Sequence, residues 1–340
     1  MSLPVSRERL QTLVSSFAGR RVLVAGDFVL DRFVFGHPKR ISREAPVLIL
    51  RFWKEESLPG AAGNTAANVR ALGGTPVPIG AVGDDEAGAS VSRILGERGI
   101  ETAGLLEVAG YATPTKTRVL AGGAHSIKQQ VVRFDREDRL PDDDAWRRRL
   151  HAAVAERAEG ADAAVVSDYG YGSVSPDVVA PLRRAIRAGA PLLVDSRHAL
   201  GSFAGVDAAT PNEEELEESA GGPIGESAEA LAAAGDRLRA RIGCRTLLVT
   251  RGSRGMALFD GGPLPTLIPV HGTDQVADVT GAGDTVLAAF SLALASGATP
   301  LEAALLANFA GGVVVMKMGT ATASAEEVSR AIASDRTLTS

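Results

Sequence analysis

The feature that most restricts the fold is a rhythm of short apolar runs alternating with helix-forming stretches. The first run, 21–26, is followed by another at 77–82 that leads into a helix through Ile94 and Leu95. From residue 163 the rhythm becomes regular: an apolar run at 163–167, a helical stretch at 178–188, then runs at 191–195, 246–250 and 256–259. Runs this short without polar alternation are buried on both faces, and joining them through helices needs crossover connections. The expected class is therefore α/β, a doubly wound, mostly parallel sheet with helices on both faces. In such sheets ligands bind beyond the carboxyl ends of the strands.

One helix start concentrates the chemistry. The stretch Asp278-Val279-Thr280-Gly281-Ala282-Gly283-Asp284-Thr285 runs straight into the apolar segment 287–295, so a helix begins near Gly281. First-turn amides have no carbonyl partner and the macrodipole adds positive charge, so Gly281, Ala282 and Gly283 offer a bare anion cradle. Asp284 falls in the first turn, where its carboxylate faces the same place. That pairing suits phosphoryl transfer: amides stabilise the transferring group while a carboxylate takes the proton of the attacking hydroxyl. Taken alone, these residues serve equally well as a turn with Asp284 as a helix cap.

Residues 278–285 resemble the second signature of the ribokinase-like (PfkB) carbohydrate kinases, and the resemblance extends from about Val22 to Glu327. It implies that Asp284 is the catalytic base and that Gly281, Ala282 and Gly283 form the anion hole. Residues 58–69 resemble the first signature, although the family usually has two adjacent glycines where this chain has Gly60 and Ala61. The resemblance assigns Gly60 and Asn64 to the sugar pocket, and Asp27 and Asp31 to the sugar hydroxyls. Read without it, the two aspartates are loop solvation or Asx turns, and the small residues serve a closely packed helix.

Within the family, segments 38–46, 168–172 and 307–320 resemble heptose-7-phosphate kinases. The first holds Lys39, Arg40 and Arg43, cations that suit a phosphate on the substrate about as well as they suit solubility. The second opens with Asp168, expected at the substrate, and has Tyr171 where the subgroup generally carries lysine. Arg197 stands where relatives tend to have lysine and can keep that cationic role beside the nucleotide. Asn212 and Glu215 match the Asn-x-x-Glu element that holds magnesium, with Glu215 acting through ordered water. A capped acidic helix start would use the same two residues. Thr250, Gly252 and Gly255 match a turn bordering the nucleotide phosphates, or form a plain hairpin turn. Asn308 and the loop 271–276 are expected along the adenine.

Four β-rich runs, 33–36, 46–53, 115–120 and 126–134, fall outside the rhythm, the last two flanking Gly122 and Gly123. They imply a small separate sheet, inserted at about 32–58 and 112–135 in a single kinase domain spanning 1–340. The resemblance makes this sheet the lid over the sugar. An isolated small sheet with an exposed apolar face is a poor monomer, so a homodimer through the lid strands is expected.

Composition narrows the partners. Apolar residues make up 45% of the 340, but no stretch approaches the ~20 uninterrupted apolar residues of a membrane span. Residues 1–20 read as an amphipathic helix, with Leu10, Leu13, Val14 and Phe17 on one face and no signal-peptide pattern. A single cysteine, Cys244, and a net charge of −5 fit a reducing cytoplasm and argue against a nucleic-acid partner. The five histidines show no metal-ligand spacing. The expected protein is a cytoplasmic sugar kinase using ATP and magnesium, with a monovalent cation as a further candidate cofactor. Its expected acceptor is the anomeric hydroxyl of D-glycero-β-D-manno-heptose 7-phosphate, and these residues are expected to hold the kinase part alone of fusions that also carry a nucleotidyltransferase. Ribose, fructose-phosphate and nucleoside kinases are the alternatives within the family. A non-catalytic sugar- or nucleotide-binding regulator is the alternative outside it. A dinucleotide oxidoreductase would need Gly-x-Gly-x-x-Gly after the first run, which Gly26-Asp27-Phe28 does not supply.

Overall fold

Two sheets carry the architecture in the computed structural model, which describes residues 5–123, 128–141, 143–225, 227–272 and 277–338. In chain order the strands are β1 (Arg21–Gly26), β2 (Phe28–Ile41), β3 (Leu48–Ala61), β4 (Thr75–Gly83), β5 (Leu105–Val108), β6 (Thr115–Ala121) and β7 (Gln129–Arg136). They continue as β8 (Ala163–Asp168), β9 (Leu192–Ser196), β10 (Ala208–Ala209), β11 (Thr246–Thr250), β12 (Met256–Phe259) and β13 (Thr266–Ile268).

The larger sheet has the order β13-β12-β11-β10-β9-β8-β1-β4-β5. Its pairs are parallel except β11 with β12 and β12 with β13. Only residues 251–255, which include the turn Gly252–Arg254, separate β11 from β12, too short for the crossover that a parallel pair needs. The first strand lies between β4 and β8, so the strand order reverses at β1, and a crevice opens beyond its carboxyl end. Along β1, Val22 and Val24 enter one hydrophobic core while Leu23 and Ala25 enter the other. The period-two alternation thus buries both faces, under helices Ala62–Ala71, Ala282–Ala295 and Pro300–Val314 on one side and Asp144–Arg157 and Ala228–Ile242 on the other.

The N-terminal helix, Arg7–Ser15, buries Leu10, Leu13 and Val14, and Phe17 is buried just beyond it. The helix expected at 178–188 is shorter, Val179–Ala185 behind a 3-10 turn at Pro176–Val178. The short strands β5, β10 and β13 carry no readable period and escaped the sequence reading. No described helix is long and apolar enough to cross a membrane.

The smaller sheet has the order β3-β2-β6-β7. Its strands do not follow the expected bounds: pairing continues to the junction with the larger sheet, Phe28 against Ala61, Val29 against Gly60 and Asp31 against Leu58. Asp31 and Gly60 therefore sit in a ladder rather than in loops. Ser126 and Ile127, expected in the last strand, lie outside the described residues. A single residue, Asp27, separates β1 from β2. The distal part of this sheet exposes Ile41, Phe52, Trp53, Val132 and Phe134.

Candidate active site

The helix Ala282–Ala295 starts where the glycines demand. Gly281 is its N-cap at φ +77°, and a Cβ there would lie 2.4 Å from Asn64 Nδ2, so this position accepts only glycine. The first helical bond runs from the Thr285 amide to Gly281 O, which leaves the Gly283 and Asp284 amides without a helix carbonyl. Asp284 does not cap the helix. Its carboxylate turns to other elements: Asn64 Nδ2 donates to Oδ2 at 3.0 Å, and Thr65 Oγ1 and the Tyr169 hydroxyl donate to Oδ1 at 3.3 and 3.0 Å. Burial pushes its pKa up to about 7; the Asp31 charge acts in the same direction, while the three donors oppose. A carboxyl group with that value accepts a proton near neutral pH.

A cavity of about 410 Å³ opens over this helix tip. One wall is cationic. Lys116 and Arg118 lie two residues apart on the same face of β6, and Arg133 pairs directly opposite Arg118 on β7. Arg118 Nη1 donates to Asp31 Oδ1 at 2.5 Å, and its guanidinium lies 5.3 Å from the Phe33 ring centroid. Burial above all lowers the Lys116 pKa; Arg197 and Arg133 push the same way and Asp31 opposes. Its ammonium lies 5.1 Å from the Tyr169 ring centroid and 5.7 Å from that of Tyr171.

Carboxylates gather on another wall, at the ends of β9 and β10. Burial, and then the Glu215 charge, push the Asp195 pKa upward; burial raises Glu215 as well, while the Asn212 amide and Arg197 oppose. Asn212 and Glu215 form a reciprocal cap, Glu215 N to Asn212 Oδ1 and Asn212 N to Glu215 Oε2, each at 2.8 Å. The capping reading therefore holds, and it leaves Glu215 Oε1 available. Two desolvated carboxylates without enough positive charge fit a hard divalent cation that keeps several waters. Among the described residues no group of three or more His, Cys, Asp or Glu is placed to hold a metal ion by itself, so these side chains form no closed cage.

The cavity brings together Asp31, Asp168, Arg197, Asn212, Glu215, Thr250, Gly281, Gly283 and Asp284, with Ala282 opening the helix beside them. Other expected residues sit differently. Asp27 is 1% exposed and spends its carboxylate on the amides of Tyr169, Tyr171 and Ser173, so it braces a loop and does not face the cavity. Asn64 is fully buried and donates to Asp284 and Gly281 O, so it holds the candidate base, not a sugar. Gly60 makes room, since a Cβ there would lie 2.4 Å from Asp31 Oδ2. Arg40 is exposed nine residues along β2 from Asp31, roughly 30 Å away in an extended strand, and does not reach the cavity. Gly252 and Gly255 shape the β11–β12 turn without lining the cavity. Asn308 bridges Pro269 O and the His271 amide, which anchors the start of the loop whose residues 273–276 lie outside those described.

Lys116, Arg118, Arg133, Tyr169 and Asp195 are site residues that the sequence reading did not select. The signal for the first two is the alternation Thr115-Lys116-Thr117-Arg118, two cations on one face of a strand that is buried on both.

A family model described as "pfkB family carbohydrate kinase" matches residues 46–327. The chain belongs to this family. As a pfkB-family member it has the ribokinase-like fold and is a phosphotransferase. It is 42% identical to "Bifunctional protein HldE" of Mesorhizobium japonicum over 97% of this chain and 65% of that one. It is 37% identical to the protein of the same name in Pelobacter propionicus, over 97% of this chain and 66% of that one. The chain thus spans slightly less than two thirds of these relatives. Among solved structures, Arabidopsis thaliana ribokinase complexed with ribose and ATP superposes with a TM-score of 0.70 at 23% identity, covering 93% of this chain and 99% of that one. Phosphofructokinase-2 of Escherichia coli does so at 0.73 and 20%, covering 93% and 99%.

Proposed function

We propose that this pfkB-family kinase transfers the γ-phosphate of ATP to the anomeric hydroxyl of D-glycero-β-D-manno-heptose 7-phosphate, giving the 1,7-bisphosphate. The observation that carries this reading is the wall of Lys116, Arg118 and Arg133 in the same cavity as Asp284. Lys116 and Arg118 are buried and Arg133 is exposed, with Asp31 paired to Arg118 and Asp135 to Arg133; a phosphate on the acceptor would supply a further anion to these three cations while the far end of the sugar reaches the base. Similarity to proteins named HldE and the three segments resembling heptose-7-phosphate kinases support the choice of sugar.

In this reading Asp284 takes the proton as the acceptor O–H bond breaks, the new O–P bond forms, and the bond from Pγ to the bridging oxygen breaks to release ADP. The Gly283 and Asp284 amides stabilise charge on the group in transit. Asp31, oriented by Arg118, accepts from the sugar hydroxyls. Arg197 and Thr250 border the nucleotide phosphates, and the loop anchored by Asn308 borders the adenine. Glu215, with Asn212 fixing it, would hold magnesium largely through water, and magnesium there would supply positive charge against that of the nucleotide phosphates. A second copy covering the apolar distal face of the small sheet is part of the proposal, and sedimentation of the whole chain tests it.

A second reading has its own support. The Tyr171 hydroxyl donates to Glu137 Oε1 at 2.6 Å, where the heptose subgroup generally places a lysine, and this favours a different phosphorylated sugar. A coupled ADP-release screen separates the two: heptose 7-phosphate against fructose phosphates, ribose, nucleosides and unphosphorylated heptose. Preference for an unphosphorylated sugar would refute the assignment of the cationic wall.

A further inference from the structure

Tyr169 lies one residue beyond β8, in a loop held by a buried carboxylate. Its amide and that of Tyr171 donate to Asp27 Oδ2 at 2.8 and 3.0 Å, and the Ser173 amide donates to Oδ1 at 2.9 Å. With the backbone fixed, the phenol reaches across the cavity floor to Asp284 Oδ1 at 3.0 Å. Thr65 Oγ1 shares that oxygen at 3.3 Å, and Asn64 Nδ2 takes Oδ2 at 3.0 Å. A carboxylate has about four lone-pair sites. Three are filled, both on Oδ1 and one on Oδ2, so the open site is on Oδ2.

The phenol can only donate here. Burial, reinforced by the charges of Asp284, Asp195 and Asp31, raises its pKa far above the ordinary phenol range, so its one proton stays in place. Asp284 needs that donor. It is buried and faces the like charge of Asp31 from β2, with Asp195 of β9 also acting on it, while Lys116, Arg118, Arg133 and Arg197 are the cations that line the cavity.

We propose that Tyr169 is a positioning residue for the base: its hydroxyl fixes the Asp284 carboxylate, supports the charged form and reserves Oδ2 for the acceptor hydroxyl. This rests on the reading of Asp284 as the base.

The test is Tyr169→Phe, which removes one oxygen and leaves the ring beneath Lys116. The acid limb of its kcat/KM profile moves up by about one pH unit, an approximately tenfold loss below the limb and near-normal activity well above it, with the nucleotide KM unchanged. Carboxyl-carbon NMR titration of the free protein, with Asp284→Asn identifying the resonance, reads the same displacement without turnover. Thr65→Val, which removes the other Oδ1 donor from a different element, shifts the titration the same way by a smaller amount and serves if the phenylalanine variant does not fold. A uniform loss across pH, or a titration unmoved in these variants, overturns the proposal. Turnover surviving in Asp284→Asn removes the base reading itself; an inert Asp284→Asn with an unmoved Tyr169→Phe titration removes only the role of Tyr169.

Discussion

Arg118 and Asp31 form an ion pair inside the cavity, Nη1 to Oδ1 at 2.5 Å, with both side chains less than a tenth exposed. Removing one partner of such a pair strands the other charge in a desolvated site, at a cost of about 3 kcal/mol. Arg118→Met is therefore expected to lower stability by about that amount and to raise the acceptor KM at least about tenfold. Adding Asp31→Asn should restore most of the stability but not the acceptor affinity. Chemical denaturation and steady-state kinetics on both variants check this, and an unchanged acceptor KM in the single variant would contradict it.

Proton uptake by Asp284 drives activity and stability in opposite directions. A base must be ionised, so kcat/KM should rise about tenfold per pH unit up to about 7 and level off above it. The folded pKa lies above the ordinary 3.8, so the group's contribution to stability is complete below that value and is lost as pH rises through about 7. Asp27 and Asp195, raised mainly by burial, act on stability in the same sense. A pH–rate profile with parallel thermal melts would show activity climbing while this share of stability declines. A flat rate profile across neutrality would contradict the assignment.

Ala61 is strained. It has φ +53° and ψ −130°, the one positive φ outside glycine among the described residues, and it stands where the family usually has a second glycine. Such a conformation costs a residue with a Cβ about 1–3 kcal/mol, and glycine gives back about 0.5–1 kcal/mol through its freer unfolded chain. Ala61→Gly should stabilise the protein by about 1 kcal/mol, a melting shift of about 2 °C at this chain length. A lower melting temperature would show that the surrounding packing relieves the strain.

Glu215→Gln separates the two tasks of that side chain. The amide oxygen can still accept from the Asn212 amide, so the helix Glu213–Ala220 should keep its cap and its stability within about 0.5 kcal/mol. The magnesium concentration for half-maximal rate should rise about tenfold or more as a carboxylate is lost. Titration of rate against magnesium beside a thermal melt reads both. An unchanged magnesium requirement would confine Glu215 to capping.

What could be read from the sequence was local. The apolar runs specify strands buried on both faces because nothing polar interrupts them, and Gly281 must begin a helix because the chain changes composition within three residues. Direction was not readable. Asp27 and Asp31 look alike in the chain, yet Asp27 turns inward because the amides of Tyr169, Tyr171 and Ser173 arrive from more than 140 residues away, while Asp31 points into the cavity, with room left for it because Gly60, diagonal to it on β3, has no Cβ. Arg40 drew attention as part of a dense cation cluster, but the length of β2 carries it to the far rim. The cations that do line the cavity were hidden in an alternating strand pair, since a pattern of two cannot tell solvent from a cavity.

The junction at Asp27 makes the small sheet and the candidate base mechanically continuous. One residue separates β1 from β2, and that residue is bolted to the loop bearing Tyr169, whose hydroxyl touches Asp284. At the same junction β3 runs without a break into the helix Ala62–Ala71, whose Asn64 and Thr65 hold the other donors to Asp284, so both strands that lead out of the small sheet end on contacts to one carboxylate.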